Sequence, residues 1–403
     1  MSRTQIVCRL NRRMRAIRVL ALAAIIGLLT VAAAHAVPYS FQGLGDLPDG
    51  DVGSTAHAVS PDGSVVVGTS NSGSGVEAFR WTSGGGMIGL GDLSDGNFRS
   101  QAYGVSADGT TVVGYGTTAA SGPNSQEAFR WTLADGMVGL GDLPGGEPES
   151  SASATSGDGA VVVGGGTVGS GFQTEAFRWT SAGGMVGLGK LPGGSFYSGA
   201  LAITPDASVI VGGSDSTTGV QAYRWTNGSG MVELGDLPGG DFLSTANAVS
   251  PDGAVVVGSG SSTSGHEAFR WTSGGMVGLG DLPSGLFYST AFGTSADGSI
   301  IIGDGDTPSG QQPFLWTSTT GMVNLRDYLI AHGVLELNDW SLESARGISA
   351  DGHTIVGYGV NPQGNTEAFI ATIPEPSSLV LAVGGLLSLA MIARRRRTVR
   401  DPH

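Results

Sequence analysis

Short apolar runs alternate with small and polar residues through most of this chain, and the spacing suits strands. In the first clear unit, Ala56-His57-Ala58-Val59-Ser60 leads through a Pro61-Asp62-Gly63 turn to a run over residues 64–68. Val65-Val66-Val67 within that run is β-branched throughout, as expected of a strand covered on both faces. A Ser/Gly-rich loop, a third run over residues 76–82, a Gly84-Gly85-Gly86 turn and a fourth run over residues 87–93 complete the unit. Asp-Gly and Gly-Gly between β-rich runs predict tight hairpins, because such turns need positive φ.

The unit repeats. Trp81, Trp131, Trp179, Trp225, Trp271 and Trp316 follow one another at intervals of 50, 48, 46, 46 and 45 residues, a period that indicates propellers or solenoids. Glu77-Ala78-Phe79-Arg80-Trp81-Thr82 recurs at residues 127–132, 175–180 and 267–272, residues 221–226 are a near copy, and Glu367-Ala368-Phe369-Ile370-Ala371-Thr372 is a seventh, worn copy. Seven copies of strands one to three begin near residues 56, 101, 152, 200, 246, 291 and 345, but fourth strands follow only six of them. The missing strand stands at the front, where Phe41-Gln42-Gly43-Leu44-Gly45-Asp46-Leu47 matches Gly139-Leu140-Gly141-Asp142-Leu143. The expected fold is therefore all-β: a seven-bladed β-propeller over residues 39–372, with four-stranded blades and a ring closed by the N-terminal strand. A β-solenoid is the competing architecture, and it would need end caps that the sequence does not show.

Blade six departs from the pattern. Gln312-Pro313-Phe314-Leu315-Trp316 lacks the Arg, and an insert at residues 326–340 follows it. Within the insert, residues 327–333 read as one short helix ended by Gly333.

The two ends have a different character. Residues 1–36 carry six Arg and no acid, followed within the segment by an apolar stretch and Ala34-His35-Ala36. A basic region, a short apolar region and small residues at Ala34 and Ala36 predict a secretory signal peptide cut by signal peptidase. Residues 373–403 begin Ile373-Pro374-Glu375-Pro376, continue in an apolar segment at about 378–393 and reach Arg394, Arg395, Arg396 and Arg397. That segment predicts a short transmembrane helix with its arginines on the cytoplasmic side.

This ending resembles the PEP-CTERM sorting signal of Gram-negative bacteria. The resemblance implies an exosortase that acts at Pro374, Glu375 and Pro376, transient anchoring in the inner membrane, and delivery to the cell surface or beyond. The repeats, over residues 41–372, resemble the HAF repeat of bacterial extracellular proteins. They do so through the AFRWT, GMVGLGDLPGG and AVSPDGSVVVG phrases. That resemblance implies architecture and location but no reaction.

Charge and candidate chemistry narrow the function. Between residues 37 and 373 the chain keeps nine of its 20 basic residues and 32 of its 34 acids. Such a surface repels nucleic acid and anionic lipid. Cys8, the single cysteine, lies in the signal peptide, so no disulfide is expected in the exported part. Eighteen of the 34 acids occupy repeat slots of the Asp46, Asp62 and Glu77 types, which predicts structural roles. Trp179 is expected in the core. An ion pair between the Arg80-type and Asp92-type slots cannot be obligatory, because Lys190 replaces the acid in blade three.

The Asp62-type turns lack the spacing of compact calcium loops, and the Asp-rich loops at residues 46–51 and 236–241 are the minor candidates for calcium. His57, His266, His332 and His353 have no zinc-site spacing. No nucleophile elbow, P-loop or dinucleotide fingerprint stands in a strand-to-helix context. The expectation is no catalytic residue, no metal and no cofactor. If strand one is innermost, the longer loops share one face with the aromatics Phe98, Phe196, Tyr197, Phe242, Phe287 and Tyr288. Phe196, Phe242 and Phe287 share a slot and are expected to plug seams, which leaves Tyr197 and Tyr288 as ligand candidates. The expected function is a non-catalytic surface or matrix protein that binds exopolysaccharide or a protein partner. The alternative is an extracellular glycan hydrolase or lyase.

Overall fold

The computed structural model describes residues 38–374 except 121, 123–124, 170–172 and 196. The predicted signal peptide, with Ala34 and Ala36, lies outside the described residues. So do Glu375, Pro376, the apolar segment and the arginines after it; of the sorting residues only Pro374 lies within them. Among the described residues no helix is long and apolar enough to cross a membrane.

Tyr39–Ile373 forms one compact unit and contains seven four-stranded antiparallel sheets. Six are built from consecutive strands, as in blade one: Ser54–Val59, Val65–Ser72, Gly75–Thr82 and Gly86–Gly89. The seventh takes Ser341–Ile348, Thr354–Val360 and Thr366–Thr372 from the end of the ring and Ser40–Gly43 from its beginning. Ser40 pairs with Thr372 and Gly43 with Phe369. The ring is closed as the strand count predicts.

Fourth strands are shorter than expected. In blade one the strand stops at Gly89, although the apolar pattern runs on to Leu93. Gly91 then adopts φ 81°, and its N–H is donated to Glu77 Oε1 at 2.9 Å. The same Glu-to-Gly bond recurs at Gly45, Gly141, Gly189 and Gly280. The Glu slot thus ends the outer strand. Loops between strands two and three are also shorter than expected in places, and Ser72 and Gly75 bracket a two-residue turn.

Two devices sew the blades together. At six seams a buried serine of the inner strand accepts an Ala N–H from the blade before it, as Ser100 Oγ does from Ala78 at 3.0 Å. The same hydroxyl donates to the Gly carbonyl beyond the outer strand, as Ser100 does to Gly91. The second device is a ring of backbone bonds on the turn face. Ala107 donates to Gly157, Gly157 to Pro205, Ala296 to Ala350 and Ala350 to Pro61. Pro61, Pro205 and Pro251 fill the other three slots and have no N–H to give; each slot that has a donor uses it.

The Arg slot serves the same end. Arg80, Arg130 and Arg270 donate through Nε to Gly109, Gly159 and Gly298 in the next blade's turn. Asp92 accepts instead from Arg99 N and Thr117 N on the loop side. The two slots therefore serve different ends of the blade, and among the described residues neither pairs with the other.

The core is a set of wedges between blades. The Phe of each aromatic phrase is fully buried, Tyr223 taking its place in blade four. Trp81 and Trp131 are buried, whereas Trp179, Trp225, Trp271 and Trp316 are half-buried at the wedge margins. Trp179 is thus a rim residue, and Phe177 holds the centre.

The sixth seam is different. Pro313 stands where other blades offer the Ala N–H, and the buried Asp304 replaces the staple. It accepts from Ser344 Oγ at 2.6 Å and Ala345 N at 3.1 Å. The insert folds over this seam as a helix, Leu325–Ala331, capped at its start by Asn324. Gly333 N–H to Ile330 and Val334 N–H to Leu329 close it in a Schellman motif, Gly333 at φ 92°. Leu325 and Leu329 are buried here, and His332 stacks on Tyr39 at 4.4 Å. The insert therefore clamps the closing strand.

Candidate binding site in the central channel

Strand one is innermost in every blade, and the seven inner strands enclose a channel with a cavity of about 780 Å³. Side chains of alternate residues point into it, which arranges the wall in layers. At the turn end, Val59, Val105, Thr155, Ile203, Val249, Thr294 and Ile348 form a mostly apolar collar.

The middle layer differs in all seven blades. Its members His57, Tyr103 and Ser153 come from blades one to three, and Leu201, Asn247, Phe292 and Arg346 from blades four to seven. Each lies at a β-bulge, where pairing shifts by one residue. A bulge leaves its residue out of the ladder and re-aims the side chain. Each is flanked by Ala on one side and Ala or Gly on the other. The small neighbours are required because inner strands crowd together: a Cβ on Gly347 would lie 3.2 Å from Ala58 Cα. The signal in the sequence was this slot, small-x-small in seven near-identical repeats with a different x in each.

Four members form two stacked pairs. Arg346 of blade seven stacks over Phe292 of blade six, its Cζ 4.2 Å from the ring centroid. Arg346 Nη2 lies 3.8 Å from Asp304 Oδ2, an ion pair beyond hydrogen-bond distance. On the other side, His57 Nδ1 lies 2.9 Å from Ala102 O and Nε2 lies 3.2 Å from Thr55 Oγ1. A carbonyl only accepts, so Nδ1 carries the proton and Nε2 accepts from the Thr55 hydroxyl. His57 stacks on Tyr103 at 5.1 Å, and the Tyr103 hydroxyl donates to Gln101 Oε1 at 2.7 Å.

Burial lowers His57 to about 4, against the raising effect of Ala102 and with help from Arg346. Burial raises Asp304 to about 6, against the lowering effects of Ser344, Arg346 and Ala345. These shifts act in opposite directions on stability. As pH falls from 6.5 toward 4, the unfolded chain protonates the histidine and the folded chain does not, so His57 makes the fold weaker in acid. Over much of the same window the folded chain holds a proton on Asp304 that the unfolded chain has lost, so Asp304 makes the fold stronger in acid. His266, lowered by burial, acts like His57. Asp46, Asp92, Asp142 and Asp281, raised by burial, act like Asp304. Asp304→Asn is therefore expected to tilt stability toward acid lability relative to wild type, and His57→Gln to tilt it the other way. Each tilt should be on the order of 2 kcal/mol between pH 4.5 and 7, read by urea unfolding. Parallel pH profiles for the two variants would contradict the assignment.

The turn acids have a different role. Asp62 Oδ1 accepts from Ser60 Oγ and Ser64 N, and the pattern recurs in every blade. These bonds hold Asp206 down to about 2, so the turns keep their form until strongly acid pH.

Tyr197 and Tyr288 stand at two separate seams on the loop face, each about 39% exposed. Tyr288 forms a parallel bridge with His266 and stacks on it at 4.7 Å, while Tyr197 bridges Thr174. Phe242, at the seam between them, does not plug it as its slot predicts but stands 55% exposed. Phe98 and Phe287 lie over Gly75 and Gly265 of the preceding hairpins; Phe196 lies outside the described residues. Among the described residues no group of three His, Cys, Asp or Glu could hold a metal ion.

No family profile matches the chain, and no curated protein matches it. Solved structures do. An oligogalacturonate lyase from Vibrio parahaemolyticus aligns with a TM-score of 0.51 at 9% identity, over 84% of this chain and 98% of that one. The β-propeller domain of the Trilobed protease from Pyrococcus furiosus gives 0.47 at 10% identity, over 76% and 89%. TolB from Acinetobacter baumannii gives 0.44 at 13% identity over 67% of this chain, which spans 62% of that protein. At these identities the likeness shows the β-propeller fold alone.

Proposed function

We propose that the protein is exported, sorted by an exosortase through Pro374, Glu375 and Pro376, and displayed at the cell surface or in the extracellular matrix. There it binds exopolysaccharide through its loop face without cleaving it. The observation that carries this reading is the division of labour among its side chains. The Glu and turn Asp slots are engaged in hydrogen bonds within the scaffold, whereas Tyr197, Tyr288 and Phe242 remain exposed on one face. Amphipathic aromatics on a rigid support suit stacking against sugar rings. The cavity wall, moreover, carries no carboxylate among its described residues, and glycoside hydrolysis ordinarily uses two.

The test uses the chain from residue 37 onward, purified in detergent, and the producing cell's own exopolysaccharide, with and without calcium. Saturable binding without release of reducing ends is expected. Tyr197→Ala combined with Tyr288→Ala should weaken binding about tenfold or more and leave the melting temperature unchanged. Release of reducing ends, or full binding by the double variant, would overturn the proposal.

A further inference from the structure

We infer that the central channel is a second binding site, separate from the loop face, and that its ligand is an acidic monosaccharide unit of the hexuronate type held by Arg346. Arg346 is the sole Lys or Arg among the described residues lining the cavity. Its side chain is 34% exposed. Phe292 fixes the plane of the guanidinium from one side. Asp304, buried behind the cavity lining, balances its charge, but the 3.8 Å separation leaves the N–H groups unused. Among the described residues the guanidinium makes no hydrogen bond, although it has five donors in a rigid fork. A buried or half-buried guanidinium with unfilled donors fits a planar, bidentate anion, and a carboxylate matches it best.

The rest of the layer describes the body of the ligand. Ser153, Asn247 and Thr55 supply hydroxyl and amide groups to the cavity, and the Tyr103 and Phe292 rings supply apolar faces. Polar groups interleaved with aromatic faces match a ring that carries hydroxyls on its rim and C–H groups on its faces. A cavity of about 780 Å³ lies in the range of pockets that enclose small ligands. The position within the fold agrees. Sequence variation among the seven repeats converges on this layer, and bulges aim each member inward. A layer that served packing alone would have no reason to hold a guanidinium over a phenyl ring where blade four places Leu201.

The experiment is calorimetric titration of the chain from residue 37 onward with D-glucuronate and, in parallel, with D-glucose, which has the same ring without the carboxylate. Glucuronate is expected to bind at least about tenfold more tightly than glucose, since the carboxylate adds a charge-assisted bidentate contact. It is also expected to shift the ring-proton resonances of His57. Arg346→Gln should weaken glucuronate binding about 30-fold or more and leave the weak glucose binding unchanged. If that variant does not fold, Arg346→Lys keeps the charge facing Asp304 and loses the fork; it should bind several-fold more weakly than wild type. Equal affinity for the two sugars, no binding of glucuronate, an unmoved His57 resonance, or wild-type affinity in the arginine variants would each overturn the proposal. Because the probe is a monosaccharide and the variants lie in the channel, failure here leaves the loop-face reading untouched.

Discussion

A chain that lacks residues 38–47 is expected to lose its cooperative melt and to associate through its open edge. The segment is short, but it joins the two ends of the ring. Ser40–Gly43 pairs with the last strand of blade seven, and Leu44 N donates to Ala368 O at 2.8 Å. Leu44 and Leu47 are buried in one cluster with Phe79 and Trp81 of blade one and with Val356 and Ala368 of blade seven. Phe41 lies against Trp340 at 5.0 Å and Phe369 at 5.4 Å. Two buried leucines and a half-buried phenylalanine contribute roughly 5 kcal/mol at the usual values for such side chains. That is a large part of the roughly 5–15 kcal/mol that holds a typical domain together. The deletion also bares the backbone of Thr366–Thr372, and an unpaired strand edge recruits other chains. Calorimetry and light scattering read both effects. A monomeric product with a melt near that of the full ring would show that the closure is dispensable. Restoration of the melt by a synthetic peptide of residues 38–47 would show directly that pairing is what was lost.

The same segment illustrates why so much of the architecture could be read from the residues. Phe41 to Leu47 repeats a phrase that elsewhere follows a third strand, so its displacement to the front of the chain had one structural meaning. The blade count and the structural role of the turn aspartates followed from patterns present seven times over, whereas the inner position of strand one was a supposition that the structure establishes. What escaped was whatever depends on a single copy or on a bond across a seam. The outer strand ends at Gly89 because a Glu77 oxygen twelve residues earlier takes the N–H of Gly91, and periodicity carries no trace of such a bond. Arg80 reaches a carbonyl in the next blade, which distance along the chain could not suggest. The insert read correctly as a helix, but its partner Tyr39 lies almost 300 residues away, across the ring closure. The channel layer was visible only as one varied slot between small residues, each at a bulge of the inner strand that no sequence period marks.

Phe177→Ala is expected to destabilise the ring by about 3–5 kcal/mol, and Trp179→Ala by distinctly less. The repeat phrase draws attention to its tryptophan, which is large and evenly spaced, yet the structure gives the central place to the residue two positions before it. Phe177 is wholly buried among Val113, Leu140, Leu143, Val162 and Met185 at the seam of blades two and three, and Trp179 packs from the margin. The reason lies in the pleat. Residues 177 and 179 face the same side, but Phe177 is registered opposite Gly164 and Trp179 opposite Val162. A Cβ on Gly164 would lie 2.9 Å from Phe177 Cζ and 1.9 Å from Ser151 O, so the ring fills a place the glycine leaves open. Truncation at 177 therefore leaves a cavity walled by two blades that the rigid ring cannot collapse, whereas truncation at 179 opens to solvent that can enter. Urea unfolding of the two variants measures the difference directly. A larger loss from Trp179→Ala would place the wedge centre at the tryptophan and reverse the assignment. The expected order would instead identify the buried phenyl rings, with Tyr223 bonded to Gly199 O in blade four, as the contacts that hold neighbouring blades at a fixed angle.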